Sequence, residues 1–116
     1  MSFDKSLQKI NIPPSFTVTE HEFYTYDPTN EYSEEASEYY LSEDLFQVLH
    51  GPSQLIVDVG WYGDISKNKG QYVLKVITNE FWDEPVSTIY ITSQSELTNV
   101  LNKTLEALDS GILDFE

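Results

Sequence analysis

The side chains that most often perform catalysis are scarce in this sequence. Its 116 residues include no cysteine and two histidines, His21 and His50. A serine or threonine nucleophile needs a base and an orienting group, and neither histidine lies in a Gly-x-Ser-x-Gly elbow or a similar setting. His50 is expected at a helix end, where a protonated ring interacts with the terminal carbonyls, and His21 is expected on a strand surface. We therefore expect no catalytic residues and a protein that is not an enzyme.

Carboxylates are plentiful, which raises the alternatives of metal binding and acid–base chemistry. Glu20 and Glu22 share one side of a predicted strand, and Asp83 and Glu84 lie in a predicted turn. The EF-hand spacing, the His-Glu-x-x-His motif and a Gly-rich phosphate loop are all missing from the sequence. We therefore expect neither a metal nor a cofactor. A small enzyme with two close carboxylates stays open as an alternative, because pairing of acids is spatial.

The balance of charge restricts the class of partner. Twenty Asp and Glu residues face six Lys and no Arg, a formal net charge of -14, and residues 10–66 contain eleven carboxylates and no Lys. Such a field repels nucleic-acid phosphates and anionic lipids and speeds encounters with cationic proteins. We expect no nucleic acid and no membrane as partner. The simpler interpretation is that acidity only keeps a small protein soluble.

Acids and aromatic residues interleave between residues 20 and 44. Tyrosine contributes a large contact area at little cost in rotamer freedom, and carboxylates accept bidentate hydrogen bonds from arginine. This composition suits a surface that binds a basic protein. The alternative is that Tyr24, Tyr39 and Tyr40 are partly buried and the acids solvate the surface around them.

Hydrophobic periodicity predicts the elements that would position these side chains. Residues 2–10 place Phe3, Leu7 and Ile10 at helical spacing before a Pro-Pro stop. Residues 33–49 are predicted as a second helix, capped by Ser33 and ended by Gly51-Pro52. Its apolar face would consist of Leu41, Leu45, Val48 and Leu49.

Four segments are predicted as strands: residues 15–26, 54–62, 71–78 and 86–92. In the first, one face would carry Phe16, Val18, Glu20, Glu22, Tyr24 and Tyr26. Residues 63–70 are expected to form a hairpin loop and residues 79–85 a second turn. Successive strands with short links favour an antiparallel meander.

The last helix has the strongest local signals. Ser93 and Glu96 form a capping box, and a leucine-rich amphipathic stretch follows. Gly111 fits a C-terminal cap, with Ile112 or Leu113 folding back. The expected fold is α+β, one domain over residues 1–116, with an antiparallel meander of about four strands and helices packed on one face.

Four stretches together resemble bacterial immunity proteins. They are residues 55–64 (LIVDVGWYGD), 70–77 (GQYVLKVI), 82–85 (WDEP) and 91–97 (ITSQSEL). They are similar to the inhibitors of polymorphic toxins, including those of contact-dependent growth inhibition systems. The resemblance covers residues 54–109 and implies a cytoplasmic antidote that binds and blocks the toxin domain of its own system, often a nuclease. The lack of a secretory signal or a bilayer-length apolar run likewise favours the cytoplasm.

The resulting hypothesis is an immunity protein that occludes the active site of a basic toxin domain in a 1:1 complex. We expect this toxin domain to be a nuclease. The residues expected to contact the toxin are Glu34, Glu35, Glu38, Tyr39, Asp58, Trp61, Tyr62, Asp64, Asp83 and Glu84. The alternative is an acidic nucleic-acid mimic that inhibits a DNA-binding protein. A mimic predicts acids spaced like phosphates along an extended surface.

Overall fold

The computed structural model describes residues 5–78 and 84–111 of the chain. Five strands form one antiparallel sheet in the order β1-β2-β3-β4-β5, so each strand pairs with its neighbours in sequence. The strands are β1 (Phe16–His21), β2 (Phe46–His50), β3 (Leu55–Asp64), β4 (Lys69–Thr78) and β5 (Ser87–Ile91). The helices are α1 (Pro28–Glu31), α2 (Glu34–Tyr40) and α3 (Gln94–Asp109). The α+β meander is confirmed, with five strands in place of about four.

The predicted helix over residues 33–49 is wrong in its second half. Ser33 does cap a helix, since its hydroxyl accepts from Ala36 N at 3.3 Å, but α2 ends at Tyr40 and β2 follows. From Phe46 to His50 burial alternates with a period of two, and this strand pairs with both β1 and β3. The two ladders of backbone hydrogen bonds decide the conformation. The Gly51-Pro52 signal marks the turn from β2 to β3 and not a helix end.

The N-terminal segment also differs from the prediction. Residues 5–10 contain no helix, and residues 1–4 lie outside the described part of the chain. Leu7 forms an isolated bridge with Tyr24, and Gln8 N donates to Phe23 O at 2.7 Å. The segment is therefore extended alongside residues 23–25. Helical spacing of three apolar residues was insufficient because seven to nine residues form a marginal helix without tertiary support.

The strand predictions are largely confirmed, with two changes. β1 ends at His21, and its register shifts between Val18 and Glu20, so the predicted single face from Phe16 to Tyr26 is broken by a bulge. The β3–β4 hairpin is longer than predicted, with strand pairing extending to Asp64 and Lys69 around a 3-10 turn at Ile65–Lys67. Of the predicted turn at residues 79–85, residues 79–83 lie outside the described chain.

Helix α3 follows the prediction closely. The Ser93 hydroxyl accepts from Glu96 N at 3.3 Å, and Gly111 adopts a φ of +84° just beyond the helix. The predicted contact of Ile112 or Leu113 falls outside the described residues. Four α3 leucines have no exposed surface: Leu97, Leu101, Leu105 and Leu108. They form one hydrophobic cluster with buried residues of α2 and of the strands.

Helix α3 also holds the N-terminal segment through three polar contacts. Gln8 Nε2 donates to Gln94 Oε1 at 2.9 Å, and Asn11 N donates to Asn102 Oδ1 at 3.1 Å. The Ser15 hydroxyl donates to Oδ1 of Asp109, the last residue of the helix, at 2.7 Å. These partners recur along α3 at intervals of eight and seven residues and so lie on one side of it.

The amide of Gln94 joins the helix to two buried tyrosines. Its Nε2 donates to Tyr26 O at 2.6 Å and to Tyr72 Oη at 3.2 Å. Gln94 is 5% exposed, so these polar groups satisfy one another away from water. Burial raises the pKa of the Tyr72 hydroxyl, against the smaller lowering effect of the Gln94 hydrogen bond.

Candidate functional site

The pairing register separates the sheet into two faces. One face packs on α2 and α3 and supplies the hydrophobic core. We call the opposite side the outer face. Its residues alternate with those of the core along each strand. They are Gln47 and Leu49 on β2, Ile56, Asp58, Gly60 and Tyr62 on β3, Gln71, Val73, Lys75 and Ile77 on β4, and Thr88 and Tyr90 on β5.

Five carboxylates gather where β1 ends and β2 begins, and we call them the acidic ridge. They are Glu20, Glu22, Glu43, Asp44 and Asp58. Glu20 on β1 pairs with Gln47, which pairs with Asp58 on β3, so these three side chains form a row across the outer face. Gln47 Nε2 donates to Asp58 Oδ1 at 3.4 Å. The backbone N–H of Glu22 extends the β1–β2 pairing by donating to Leu45 O at 2.7 Å.

A glycine in β3 makes room for the central part of the ridge. The Ser42 carbonyl accepts from Trp61 N at 2.7 Å. The Leu45 N–H donates to Val59 O at 3.0 Å. Between these two bonds, Glu43 and Asp44 pass over Gly60. A Cβ at position 60 would lie 2.3 Å from Glu43 O, a distance that real Cβ atoms do not reach. Gly60 thus allows the backbone of Glu43 and Asp44 to lie close against the sheet, with both side chains exposed.

Three other ridge carboxylates act electrostatically on Glu20. Partial desolvation raises the pKa of Glu20, and the charges of Glu22, Asp44 and Asp58 raise it further. These groups therefore interact through space although they come from three different strands or strand ends. A cation brought to the ridge would relieve this repulsion.

Asp58 is the most buried member of the ridge, with 8% of its surface exposed. Desolvation raises the pKa of its carboxyl, and the charge of Asp44 acts in the same direction. The hydrogen bond from Gln47 and the charge of Lys75 oppose the rise. Lys75, its cross-strand partner, is the cation that faces Asp58 within this row. A nearly buried carboxylate with a raised pKa is more typical of binding and catalytic sites than of hydrophobic cores.

A cavity of about 270 Å³ lies beside the ridge on the outer face, and we call it the outer cleft. Its lining residues are Tyr62, Gln71, Val73, Lys75 and Tyr90. Val73 pairs with Tyr90 on β5 and with Gly60 on β3. Gly60 has no side chain, so Val73 contributes to the lining of the cleft between these two positions. Desolvation raises the pKa of Tyr62, and the charges of Asp58, Glu43 and Asp44 raise it too. The ridge and the cleft therefore share one electrostatic environment.

A second cavity, of about 240 Å³, borders the ridge near α2, and we call it the helix-side cleft. It is lined by Glu22, Tyr24, Tyr39, Tyr40 and Ser42. The rings of Tyr24 and Tyr40 lie 5.2 Å apart, and Tyr39 meets Tyr40 edge-on at 4.9 Å. The Tyr40 ring also stacks on the Tyr26 ring at 5.4 Å, which joins these rings to the hydrophobic core.

The residues expected to contact a partner lie in different places. Asp58 belongs to the ridge, and Tyr39 and Tyr62 line the two clefts beside it. Glu34, Glu35 and Glu38 are exposed on α2. The first two lie in the first turn, where the helix dipole favours negative charge.

The other expected contact residues are separated from the ridge. Trp61 is 6% exposed and belongs to the core, so its side chain is not available at the surface. Asp64 caps the 3-10 turn by accepting from Ser66 N at 3.0 Å, and its hydrogen bonds to Ser66 lower its pKa. Glu84 is exposed in the link before β5, and Asp83 lies outside the described residues.

Two features of the site were missed from sequence. Glu43 and Asp44 were assigned to a helix, where they would not meet Glu20 or Asp58. Tyr90 was not singled out, although it is 64% exposed. Its alternation with the half-buried and buried Ile89 and Ile91 in β5 was a signal that placed it on the outer face.

Both histidines have structural surroundings. His50 is 4% exposed at the end of β2, not at a helix end as predicted; its Nδ1 lies 2.6 Å from the Ser53 hydroxyl, and its ring packs against Phe16. The Ser53 hydroxyl also accepts from Leu55 N at 3.2 Å, which fixes it in the turn. His21 is half-buried, its Nε2 is 3.2 Å from Gln8 O, and its ring meets Phe46 edge-on.

Within residues 5–78 and 84–111, no three acidic or histidine side chains cluster closely enough to hold a metal ion. Nor does this part of the chain contain a helix of the length and apolar character that crossing a bilayer requires. No protein-family model, curated protein or solved structure matches the chain.

Proposed function

We propose that this protein is an immunity protein, which acts in the cytoplasm by binding a basic toxin domain and blocking its activity. The observation that carries the proposal is the acidic ridge, five carboxylates on or beside β1, β2 and β3 that border two tyrosine-lined clefts. A phosphate-binding enzyme such as a nuclease presents the complementary positive potential. The resemblance of residues 54–109 to inhibitors of polymorphic toxins supports the same class.

The ridge suits this function better than the carboxylates of α2. The backbone of Glu43 and Asp44 is fixed between two hydrogen bonds to β3, so no loop has to be ordered there when a partner binds. Glu34 and Glu35 already interact with the N-terminal end of their own helix. We therefore place the ridge at the centre of the interface.

The test uses the toxin domain encoded by the gene adjacent to this one, purified and assayed for nuclease activity. We expect 1:1 binding that weakens as salt rises, together with loss of nuclease activity. In the variant E43Q/D44N, affinity should fall at least about tenfold, as for truncation of one partner of close charge pairs. The matched control is E34Q/E35Q, which removes two consecutive exposed acids from α2 with the same change in net charge. We expect it to weaken binding less than E43Q/D44N does, because a charge outside the contact acts mainly on the association rate and its salt dependence.

Four outcomes would contradict the proposal. The toxin domain neither binding nor losing activity would remove the assigned function. Equal losses in the two double variants would remove the ridge as the interface. Equally tight binding to an unrelated basic protein such as cytochrome c would mean that the surface binds positive charge without specificity. Competition with DNA for several unrelated DNA-binding proteins would favour the nucleic-acid mimic.

A further inference from the structure

The outer cleft is large enough for one side chain of a partner protein. Its volume of about 270 Å³ is below the range of about 300–1,000 Å³ that is usual for ligand and cofactor pockets. It is open at the surface of the sheet, and its lining combines two tyrosine rings, one amide and a buried valine. This shape suits one side chain inserted from a partner protein.

The cleft already accommodates a cation. Lys75 Nζ lies 5.5 Å from the centroid of the Tyr62 ring, a distance at which the ring quadrupole attracts positive charge. Across the cleft, Tyr90 is 64% exposed, and no aromatic ring in the described part of the chain packs on it. A second cation can therefore lie on Tyr90 without displacing a ring.

Three carboxylates lie near the same position, although none of them lines the cleft. Asp58 flanks Lys75 across the β3–β4 pair, and Glu43 and Asp44 act electrostatically on Tyr62. The Gln71 side chain at the other end of the cleft offers an amide oxygen. A planar guanidinium is suited to this combination, because it stacks on an aromatic ring and donates in its own plane to oxygen acceptors. An ammonium is a compact, strongly hydrated charge and fits less well.

The helix-side cleft is the competing location. Tyr40 is 4% exposed, and its ring is stacked on Tyr26 at 5.4 Å and met edge-on by Tyr39, so its faces are closed to a guest. The outer cleft keeps two rings on separate strands with space between them. On this ground we choose the outer cleft.

We propose that the outer cleft is an arginine-binding site, in which a guanidinium from the basic partner lies on Tyr90 and faces Asp58 and the ridge. This inference deepens the proposed function, since it names the side chain of the toxin domain that anchors the complex. It makes the cleft, and not the exposed face of α2, the specific part of the interface.

The site can be tested without the toxin, using N-acetylarginine amide as the probe. The amide is titrated to millimolar concentration at low salt into the isotope-labelled full chain, and backbone amide shifts are recorded by NMR. We expect saturable shifts centred on Tyr62, Val73 and Tyr90. The uncharged citrulline amide should produce none at the same concentration, and the lysine amide should bind at least about twofold more weakly.

Two tyrosine variants form a matched pair, because Tyr90 and Tyr39 are 64% and 61% exposed. Y90A should weaken arginine-amide binding about two- to fivefold, the effect of removing a cation–π contact at an exposed site. Y39A should leave it unchanged. Shifts that spread over α2 without saturating, or equal effects of the two variants, would overturn the inference.

The inference and the proposed function fail in different ways. If the toxin domain binds and Y90A binds it as tightly as the wild type does, the arginine site is wrong and the immunity function stands. If the arginine amide binds in the cleft and the adjacent toxin domain does not bind, the site stands and the function is wrong.

Discussion

Replacing Gly60 by alanine is the sharpest test of how the acidic ridge is built. A Cβ at this position would lie 2.3 Å from Glu43 O and 2.8 Å from Glu43 C. To reach a tolerable separation of about 3 Å, the segment must move by roughly 0.7 Å, a shift that interiors resist because they are closely packed. That displacement stretches the flanking bonds to Trp61 N and Val59 O, now 2.7 and 3.0 Å, beyond good geometry. Two weakened backbone hydrogen bonds with buried partners correspond to about 2–4 kcal/mol.

The assay is urea unfolding of G60A beside the control G51A. A Cβ at Gly51 would meet Ser15 O at 3.5 Å, an ordinary contact, so we expect G51A to change the free energy of unfolding by less than about 1 kcal/mol. Amide shifts of G60A should be largest at residues 42–45 and 59–61. Affinity for the basic partner should fall with the displacement of Glu43 and Asp44. Equal stability of the two variants would refute the steric reasoning.

Three further changes test the electrostatics and the core. The pKa of Asp58 is higher in the folded than in the unfolded chain, so its charged form lowers stability at neutral pH. This destabilisation disappears below the pKa that Asp58 has in the unfolded chain. D58N should therefore raise the free energy of unfolding at pH 7.5 and not at pH 3. Q94L should lower that free energy by about 2–4 kcal/mol, because it leaves Tyr26 O and Tyr72 Oη buried without their donor, and Y72F in the same chain should restore part of the loss. K75M removes the cation beside the outer cleft and should tighten binding of arginine amide, whereas weaker binding would mean that Lys75 helps to form the site.

Local signals were sufficient for the elements whose partners are close in sequence. The capping box at Ser93 and the leucine spacing of α3 specify a helix before any tertiary contact is known. The β3–β4 hairpin combines two alternating runs with a polar link, and its strands pair residue by residue from Leu55 to Asp64. Hydrophobic periodicity therefore predicted most of the sheet.

The failure at residues 41–50 has a simple cause. Leu41, Leu45 and Val48 have spacings of four and three that fit a helix face, yet all three are equally well buried in an extended chain. Backbone pairing with β1 and β3 decides between the two conformations, and that pairing depends on residues far along the chain. Local propensity cannot resolve such a case.

The candidate site was predictable in composition and not in geometry. The acid-rich, cation-free span was visible in sequence, and Asp58, Tyr62 and Tyr39 were expected contacts that do border the ridge or its clefts. The meeting of Glu43 and Asp44 with Asp58 depends on an irregular strand start above Gly60. No spacing rule contains that information, because it arises from the register of two strands.

The polar contacts between α3 and the N-terminal segment link two distant parts of the chain. The Asn11 amide donates to Asn102 Oδ1 of the helix in an exposed hydrogen bond, so we expect its exchange with solvent to depend on this side chain of α3. When the helix opens, the segment loses its contacts at Gln94, Asn102 and Asp109 together. Deuterium uptake at Asn11 should consequently follow the kinetics of α3, although Asn11 belongs to no helix or strand.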